Sequence, residues 1–249
     1  MGTITTALRY APYFIKLAAS ELPYQRVLKA EGVHEARKYA YKVTKQHCFD
    51  ILRVTGTRVI VKGAENLPRE ENFVYVGNHQ SIFDVIVLLS NSLRPTVFVA
   101  KAELKKWPVF GRWMEHMGCI FLHREDPREA ITVINEAARR VREEGMDAAI
   151  YPEGTRSRSH TIGEFQKGSF KLPQRAQCRF VPVMIDNSFA VFEADGQFHS
   201  NETVYLTFLP PVDLTKLSKE AEKSIHLDTK VKIQEAMDNI TKESPQTLG

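Results

Sequence analysis

One histidine and one aspartate stand where a proton could be moved. The segment Asn78-His79-Gln80-Ser81-Ile82-Phe83-Asp84 lies between two apolar runs, Phe73-Val74-Tyr75-Val76-Gly77 and Val85-Ile86-Val87-Leu88-Leu89. Histidine has an unperturbed pKa close to neutrality, so a placed imidazole can take and return a proton. An aspartate about a turn along a helix can accept from the other ring nitrogen, fixing the tautomer and stabilising the imidazolium. No Gly-x-Ser-x-Gly elbow supplies an enzyme nucleophile, and no cysteine adjoins the histidine. A His/Asp pair alone suits a reaction whose substrate brings its own hydroxyl. A purely structural histidine would have the same local sequence, so the rest of the chain must decide.

The elements around the pair read as a strand, a polar elbow and a buried helix. Such an elbow puts polar side chains at the carboxyl end of a strand, where open α/β sheets hold ligands. Further strands are expected at Arg58–Val61, Thr96–Ala100, Cys119–Leu122, Ala148–Tyr151, Phe180–Ile185 and Thr203–Phe208. Helices are expected at Ile82–Ser90, Pro108–His116, Arg128–Glu144 and Gly168–Arg175. The Arg128–Glu144 helix is opened by Pro127, lined by Ile131, Ile134, Ala138 and Val141, and ended by Gly145. This alternation predicts an α/β fold, a mostly parallel twisted sheet with helices on both faces. Ser218–Ile240 closes it as a charged amphipathic helix, and Thr241–Gly249 reads as a frayed tail.

Two more polar clusters follow strands. Gly118-Cys119-Ile120-Phe121-Leu122-His123-Arg124 delivers an arginine, and Ile150-Tyr151-Pro152-Glu153-Gly154-Thr155-Arg156-Ser157 delivers a glutamate and an arginine. In a parallel sheet these ends share the side of Asn78–Asp84, with Arg124, Arg156 and Lys167 as its cations. Guanidinium forks suit phosphate because they donate two parallel hydrogen bonds. Read singly, each arginine is as well explained by a surface ion pair worth little.

The amino-terminal fifth has a different character. Residues 1–58 hold ten basic residues against four acidic ones, whereas the whole chain carries +4, so the remainder is slightly acidic. A helix over residues 4–19 presents Ile4, Leu8, Ala11 and Ile15 on one face, with Tyr10, Phe14 and Leu17 beside it and a bend expected at Pro12. Arg9 and Lys16 share a side two turns apart. A longer helix over Glu35–Val54 has an apolar stripe through Ala36, Ala40, Val43, His47 and Ile51, with Arg37, Lys38, Lys42 and Lys45 opposite. His47 on that stripe reads as a core or interhelix residue, not a ligand. Residues 1–55 are therefore expected to be amphipathic membrane-docking helices, and 56–249 the α/β domain, with Gly56 as the break. No apolar run reaches the ~18–20 residues that cross a bilayer. Cys48, Cys119 and Cys178 are scattered, which suits reduced thiols and shows no zinc spacing.

His79 and Asp84 in their Asn-His-x-Ser frame, Gly118–Arg124, Pro152-Glu153-Gly154-Thr155-Arg156 and the late Val181-Pro182 resemble the four motif blocks of the glycerolipid acyltransferase family. Within it, the likeness is to bacterial 1-acylglycerol-3-phosphate acyltransferases. The blocks run in family order across residues 78–183. Two positions depart: His123 stands where an aspartate is common, and Tyr151 where phenylalanine is common. Neither departure removes a base or a phosphate-binding cation.

The resemblance implies that His79 deprotonates the sn-2 hydroxyl of lysophosphatidate and that Asp84 orients it. The donor is acyl-CoA or acyl-acyl carrier protein, and glycerol-3-phosphate stays open as an acceptor. Arg124 is implied as the principal phosphate ligand. Asn78, Ser81, Lys101, Glu153, Gly154, Thr155, Arg156 and Lys167 complete the implied substrate site, Glu153 through the glycerol or by fixing an arginine. Backbone N–H groups around Gly154, or Lys101, are the candidates for holding the tetrahedral oxyanion. No cofactor or metal is implied. The partners expected are the two substrates and an anionic membrane at its cytoplasmic face, not nucleic acid. Two other classes compete: a lipid-binding protein without turnover, and a metallohydrolase using His79, Asp84, Glu153 and His123. The second lacks a compact ligand motif such as His-Glu-x-x-His.

Overall fold

The computed structural model describes residues 3–123 and 127–243. Arg124 and residues 244–249 of the expected tail lie outside it. Apolar and β-branched runs form seven strands: β1 (Arg58–Lys62), β2 (Val74–Gly77), β3 (Thr96–Lys101), β4 (Ile120–Leu122), β5 (Asp147–Ile150), β6 (Phe180–Asp186) and β7 (Thr203–Phe208). They make one sheet in the order β1-β7-β6-β2-β5-β3-β4. Five of its neighbouring pairs are parallel, and β6–β7 is antiparallel. The expected α/β class and mostly parallel sheet are thus present. The antiparallel step occurs where β6 reaches β7 without a crossover helix, which parallel pairing would need.

Side chains alternate across the sheet with the period of two that strands impose. Tyr75, Ala149, Val181, Val183 and Ile185 enter one apolar cluster with Val87, Leu88 and Trp113. Val74, Val76, Ala148, Ile150, Phe180 and Met184 enter the other. The first face is covered by α3 (Phe83–Asn91), α4 (Phe110–His116) and the amino-terminal helices α1 (Thr3–Ala19) and α2 (Glu21–Thr55). The second is covered by α5 (Pro127–Glu143), α6 (Lys171–Ala176) and α7 (Lys219–Glu243). Burying a large apolar side chain contributes roughly 1.5–3 kcal/mol, so both layers anchor the central strands firmly.

The amino-terminal helices share the first core, through Leu17, Tyr24, Ala36, Ala40, Cys48 and Leu52. Helix α2 begins at Glu21, fourteen residues before the expected start, and holds a non-helical residue at Gly32 (φ 85°, ψ 178°). Pro23 lies in its first turn, where a missing N–H breaks no helical hydrogen bond. Gly56 ends it in the left-handed region (φ 68°). Tyr10 and His47 hydrogen-bond across α1 and α2, and burial holds the His47 imidazole down at about 4, so this histidine joins helices. On α1 the outward residues include Leu8, Arg9, Ala11, Ile15 and Lys16. Two of the basic residues on α2 turn inward instead: Arg37 pairs with Glu144, and Lys45 donates to the Ser92 carbonyl at 2.6 Å.

Candidate active site

The elbow after β2 is built by backbone donors converging on one acid. Asp84, fully buried in the first turn of α3, accepts at Oδ2 from His79 Nδ1 (2.7 Å), Gln80 N (2.7 Å) and Ser81 N (2.9 Å). Its Oδ1 accepts from the Ser188 hydroxyl. Because Oδ2 already accepts from two backbone N–H groups, it accepts from His79 too, so Nδ1 carries the shared proton and Nε2 keeps its lone pair. The His79 ring also lies flat on Tyr151, centroids 4.3 Å apart at 13°, and its side chain is 13% exposed. Plane, tautomer and direction are therefore fixed before any substrate arrives.

The turn after β5 locks against this elbow. Ser157 N donates to the His79 carbonyl (2.8 Å) and Arg158 N to the Gln80 carbonyl (3.2 Å). Glu153 accepts from His79 N (2.7 Å) and from Gly163 N (2.8 Å). Burial raises its pKa, while the two N–H donors and the His79 charge pull it back. So Glu153 shapes the His79 backbone, and among the described residues no arginine is paired with it. Arg156 pairs instead with Glu193, whose other oxygen lies 3.5 Å from Arg158 Nε.

Several expected substrate contacts are used inside the protein. Asn78 bridges β2 to β6, donating to the Ile185 carbonyl (2.8 Å) and accepting from Ile185 N (2.9 Å). Ser81 Oγ accepts from Phe83 N (3.1 Å) at the start of α3. Both are buried and build the elbow. Gly154 N–H closes its turn on the Tyr151 carbonyl (3.1 Å), which spends one candidate oxyanion donor. Thr155 is exposed on that turn.

Lys101 ends β3, two strands from β2, and faces Glu103 at 3.2 Å with both side chains exposed. Lys167 begins a 3-10 turn whose Phe170 packs in the second layer with α5 and α7. No hydrogen bond or ion pair among the described residues joins either lysine to the His79 network. His123, exposed, is held by Glu129 at 3.0 Å. Among the described residues no cluster of three or more His, Cys, Asp or Glu side chains could hold a metal ion. Sequence reasoning missed Ser188 and Glu193, which follow β6 without any motif.

A histidine held by a buried acid at the carboxyl end of β2, with an arginine turn clamped to it, lies within the stretch that matches a known family. The family model for acyltransferases fits residues 58–186. The chain belongs to the acyltransferase family. Its similarity to named members extends further. A 1-acyl-sn-glycerol-3-phosphate acyltransferase of Borreliella burgdorferi is 32% identical over 174 residues, 70% of this chain and 69% of that one. The Saccharomyces cerevisiae enzyme of the same name is 30% identical, over 66% of this chain and 55% of its own. Among solved structures, 1-acyl-sn-glycerophosphate acyltransferase PlsC from Thermotoga maritima has the same fold. It covers 95% of this chain and 97% of its own, with a TM-score of 0.73 at 23% identity.

Proposed function

We propose that this acyltransferase moves an acyl chain from a thioester, acyl-CoA or acyl-acyl carrier protein, to the sn-2 hydroxyl of lysophosphatidate, giving phosphatidate. The observation that carries it is the 2.7 Å His79–Asp84 pair, with Nε2 left without a hydrogen-bond partner among the described residues. His79 Nε2 takes the hydroxyl proton as the alcohol oxygen attacks the thioester carbonyl. The carbon–sulfur bond then breaks, and the imidazolium returns the proton to the thiolate. No acyl-enzyme forms. Proton transfer of this kind contributes roughly 10²–10⁴-fold. Arg156 and Arg124 hold the acceptor's phosphate, the charge that tells lysophosphatidate from a neutral lipid. The names of the similar proteins favour this acceptor.

Residues 1–55 serve as the docking element for an anionic membrane at its cytoplasmic face. Leu8 and Ile15 are 71% and 66% exposed on α1, with Arg9 and Lys16 between and beside them. An exposed apolar stripe edged with bases suits the lipid headgroup boundary. No helix among the described residues is long and apolar enough to cross a membrane. Replacing Leu8 and Ile15 together by Glu should weaken binding to anionic vesicles; undiminished binding removes α1 from the docking surface.

The deciding assay offers purified protein lysophosphatidate or glycerol-3-phosphate, with each donor, and identifies the product by mass spectrometry. Phosphatidate acylated at sn-2 is expected from lysophosphatidate. Product from glycerol-3-phosphate alone overturns the acceptor, and no product from any pair overturns the reaction. EDTA should leave turnover unchanged; inactivation would point to the metallohydrolase.

A further inference from the structure

The chain between β6 and β7 lies just past the matched residues 58–186, and none of the four motif blocks reaches it. It opens with Ser188, fully buried at the start of a 3-10 turn over Ser188–Val191. The Ser188 hydroxyl donates to Asp84 Oδ1, while the donors from the elbow gather on Oδ2. Among the described residues it is the one donor on that oxygen.

We propose that Ser188 is a positioning residue of this acyltransferase: it pins Asp84 Oδ1 and so keeps Oδ2 in line with His79 Nδ1. The proposal rests on the reading of His79 as the base. A carboxylate turns about its Cβ–Cγ bond, and three donors on one oxygen leave that rotation opposed from one side only. A hydrogen bond on the other oxygen opposes it from the second side. The donor is itself held firmly. Further along the same stretch, Glu193 accepts from Ile82 N at the start of α3 (3.3 Å) and pairs with Arg156, and the Val191 carbonyl accepts from His199 N (2.9 Å). The hydroxyl is thus delivered from a braced segment to the acid of the pair.

Losing the hydroxyl has a sign that can be worked out. A buried carboxylate that loses a donor is less well compensated when ionised, so the His79–Asp84 pair binds its shared proton more tightly. The base is then neutral only at higher pH. The other ionisable groups around the pair are Tyr151 against the ring, Glu153 on the His79 backbone, Asp186 and His160 beyond Gln80, and Glu193, Arg156 and Arg158 on the adjoining turns. All keep their partners in a Ser188 variant, so a shift is attributable to the lost donor.

The test compares Ser188→Ala and Ser188→Thr with the wild-type chain. Ser188→Ala should lower kcat about tenfold with the KM for lysophosphatidate little changed, and move the acid limb of kcat up by about half to one pH unit. Ser188→Thr, which keeps the hydroxyl, should restore the wild-type limb. A readout free of turnover is the ¹⁵N NMR titration of the His79 ring, assigned by its absence in His79→Gln. Its midpoint should rise in Ser188→Ala and fall in Asp84→Asn. A midpoint that moves in Asp84→Asn but not in Ser188→Ala overturns the proposal and leaves the base standing. A lower melting temperature with unmoved limb and midpoint makes Ser188 a packing residue, which also overturns it. If the wild type acylates no acceptor, the base reading falls, and the titration still decides whether Ser188 governs the pair.

Discussion

Two aspartates with no exposed surface sit at opposite ends of neighbouring strands and are treated in opposite ways. Asp84 lies past the carboxyl end of β2, inside the ring of donors described above. Asp147 begins β5 at its amino end, where Oδ1 accepts from Phe73 N (3.1 Å) and faces Arg94 (3.4 Å), while Oδ2 has no hydrogen-bond partner. There burial outweighs the guanidinium and the N–H, and the carboxyl is pushed up to about 7. Equal burial therefore comes with different donor sets: four donors on Asp84, and two on Asp147 with one oxygen left bare. The sheet keeps its fully satisfied carboxylate at the end that holds the base. It tolerates the partly satisfied one at the end that only has to fold.

The largest effect should come from breaking the satisfied acid's pairing. His79→Gln and Asp84→Asn should each lower turnover on the order of 10²–10⁴-fold without loss of fold. The double variant should be scarcely worse than either, because the two side chains act as one unit. Steady-state kinetics with circular dichroism checks this, and independent, multiplying losses would dissolve the pair.

Asp147 should show itself in stability instead. Burial raises its folded pKa above the usual aspartate value, so the folded state binds the extra proton. Its contribution is complete below about pH 4 and is lost as pH rises through about 7, a change on the order of 3–4 kcal/mol at most. Urea midpoints of wild type minus Asp147→Asn should fall across that window. A difference independent of pH would mean that the acid is ionised in the fold.

Smaller effects sharpen the distinction between a held cation and a placed one. Arg156→Lys keeps the charge but loses the fork, and should raise the KM for lysophosphatidate by about three- to tenfold. An unchanged KM moves the phosphate elsewhere. The smallest effect belongs to His160, which meets Asp186 at the same 2.7 Å as the His79–Asp84 pair but is 48% exposed. His160→Gln should leave kcat within about twofold, since a surface pair contributes little. A large drop would show that distance alone makes a base.

The local part of this design is readable in the chain. Seven strands and the main helices follow from β-branched runs and helical periodicity, and His79 and Asp84 lie five residues apart on one segment. What sequence hides is long-range. Strand order is set by pairing between distant segments, so the antiparallel β6–β7 step has no local signature. Glu153 looks like a substrate ligand because it stands beside Arg156, yet its partners are the backbone of residue 79 and of residue 163. Lys101 and Lys167 sit near motif residues in sequence, yet the sheet carries Lys101 two strands away, and exposed Lys167 makes no hydrogen bond or ion pair with the His79 network among the described residues. Ser188 and Glu193 leave no trace at all, because an isolated Ser or Glu after a strand says nothing of what it meets. The reverse holds for α1, whose outward Leu8, Ala11 and Ile15 are the face that periodicity marks as apolar.

Gly32 shapes how the amino-terminal helices lie on the domain. Its torsions belong to a region that side-chain-bearing residues avoid, and a Cβ there would meet nothing within 4 Å. The constraint is thus torsional, with no crowding behind it. Gly32 joins two helical stretches that both reach the first core, through Leu17 and Tyr24 before it and Ala36 and Ala40 after it, so its bend and that packing together set the aim of Leu8 and Ile15. Gly32→Ala should strain the bend and weaken binding to anionic vesicles while leaving the imidazole untouched, separating where the catalyst is berthed from what it does once there.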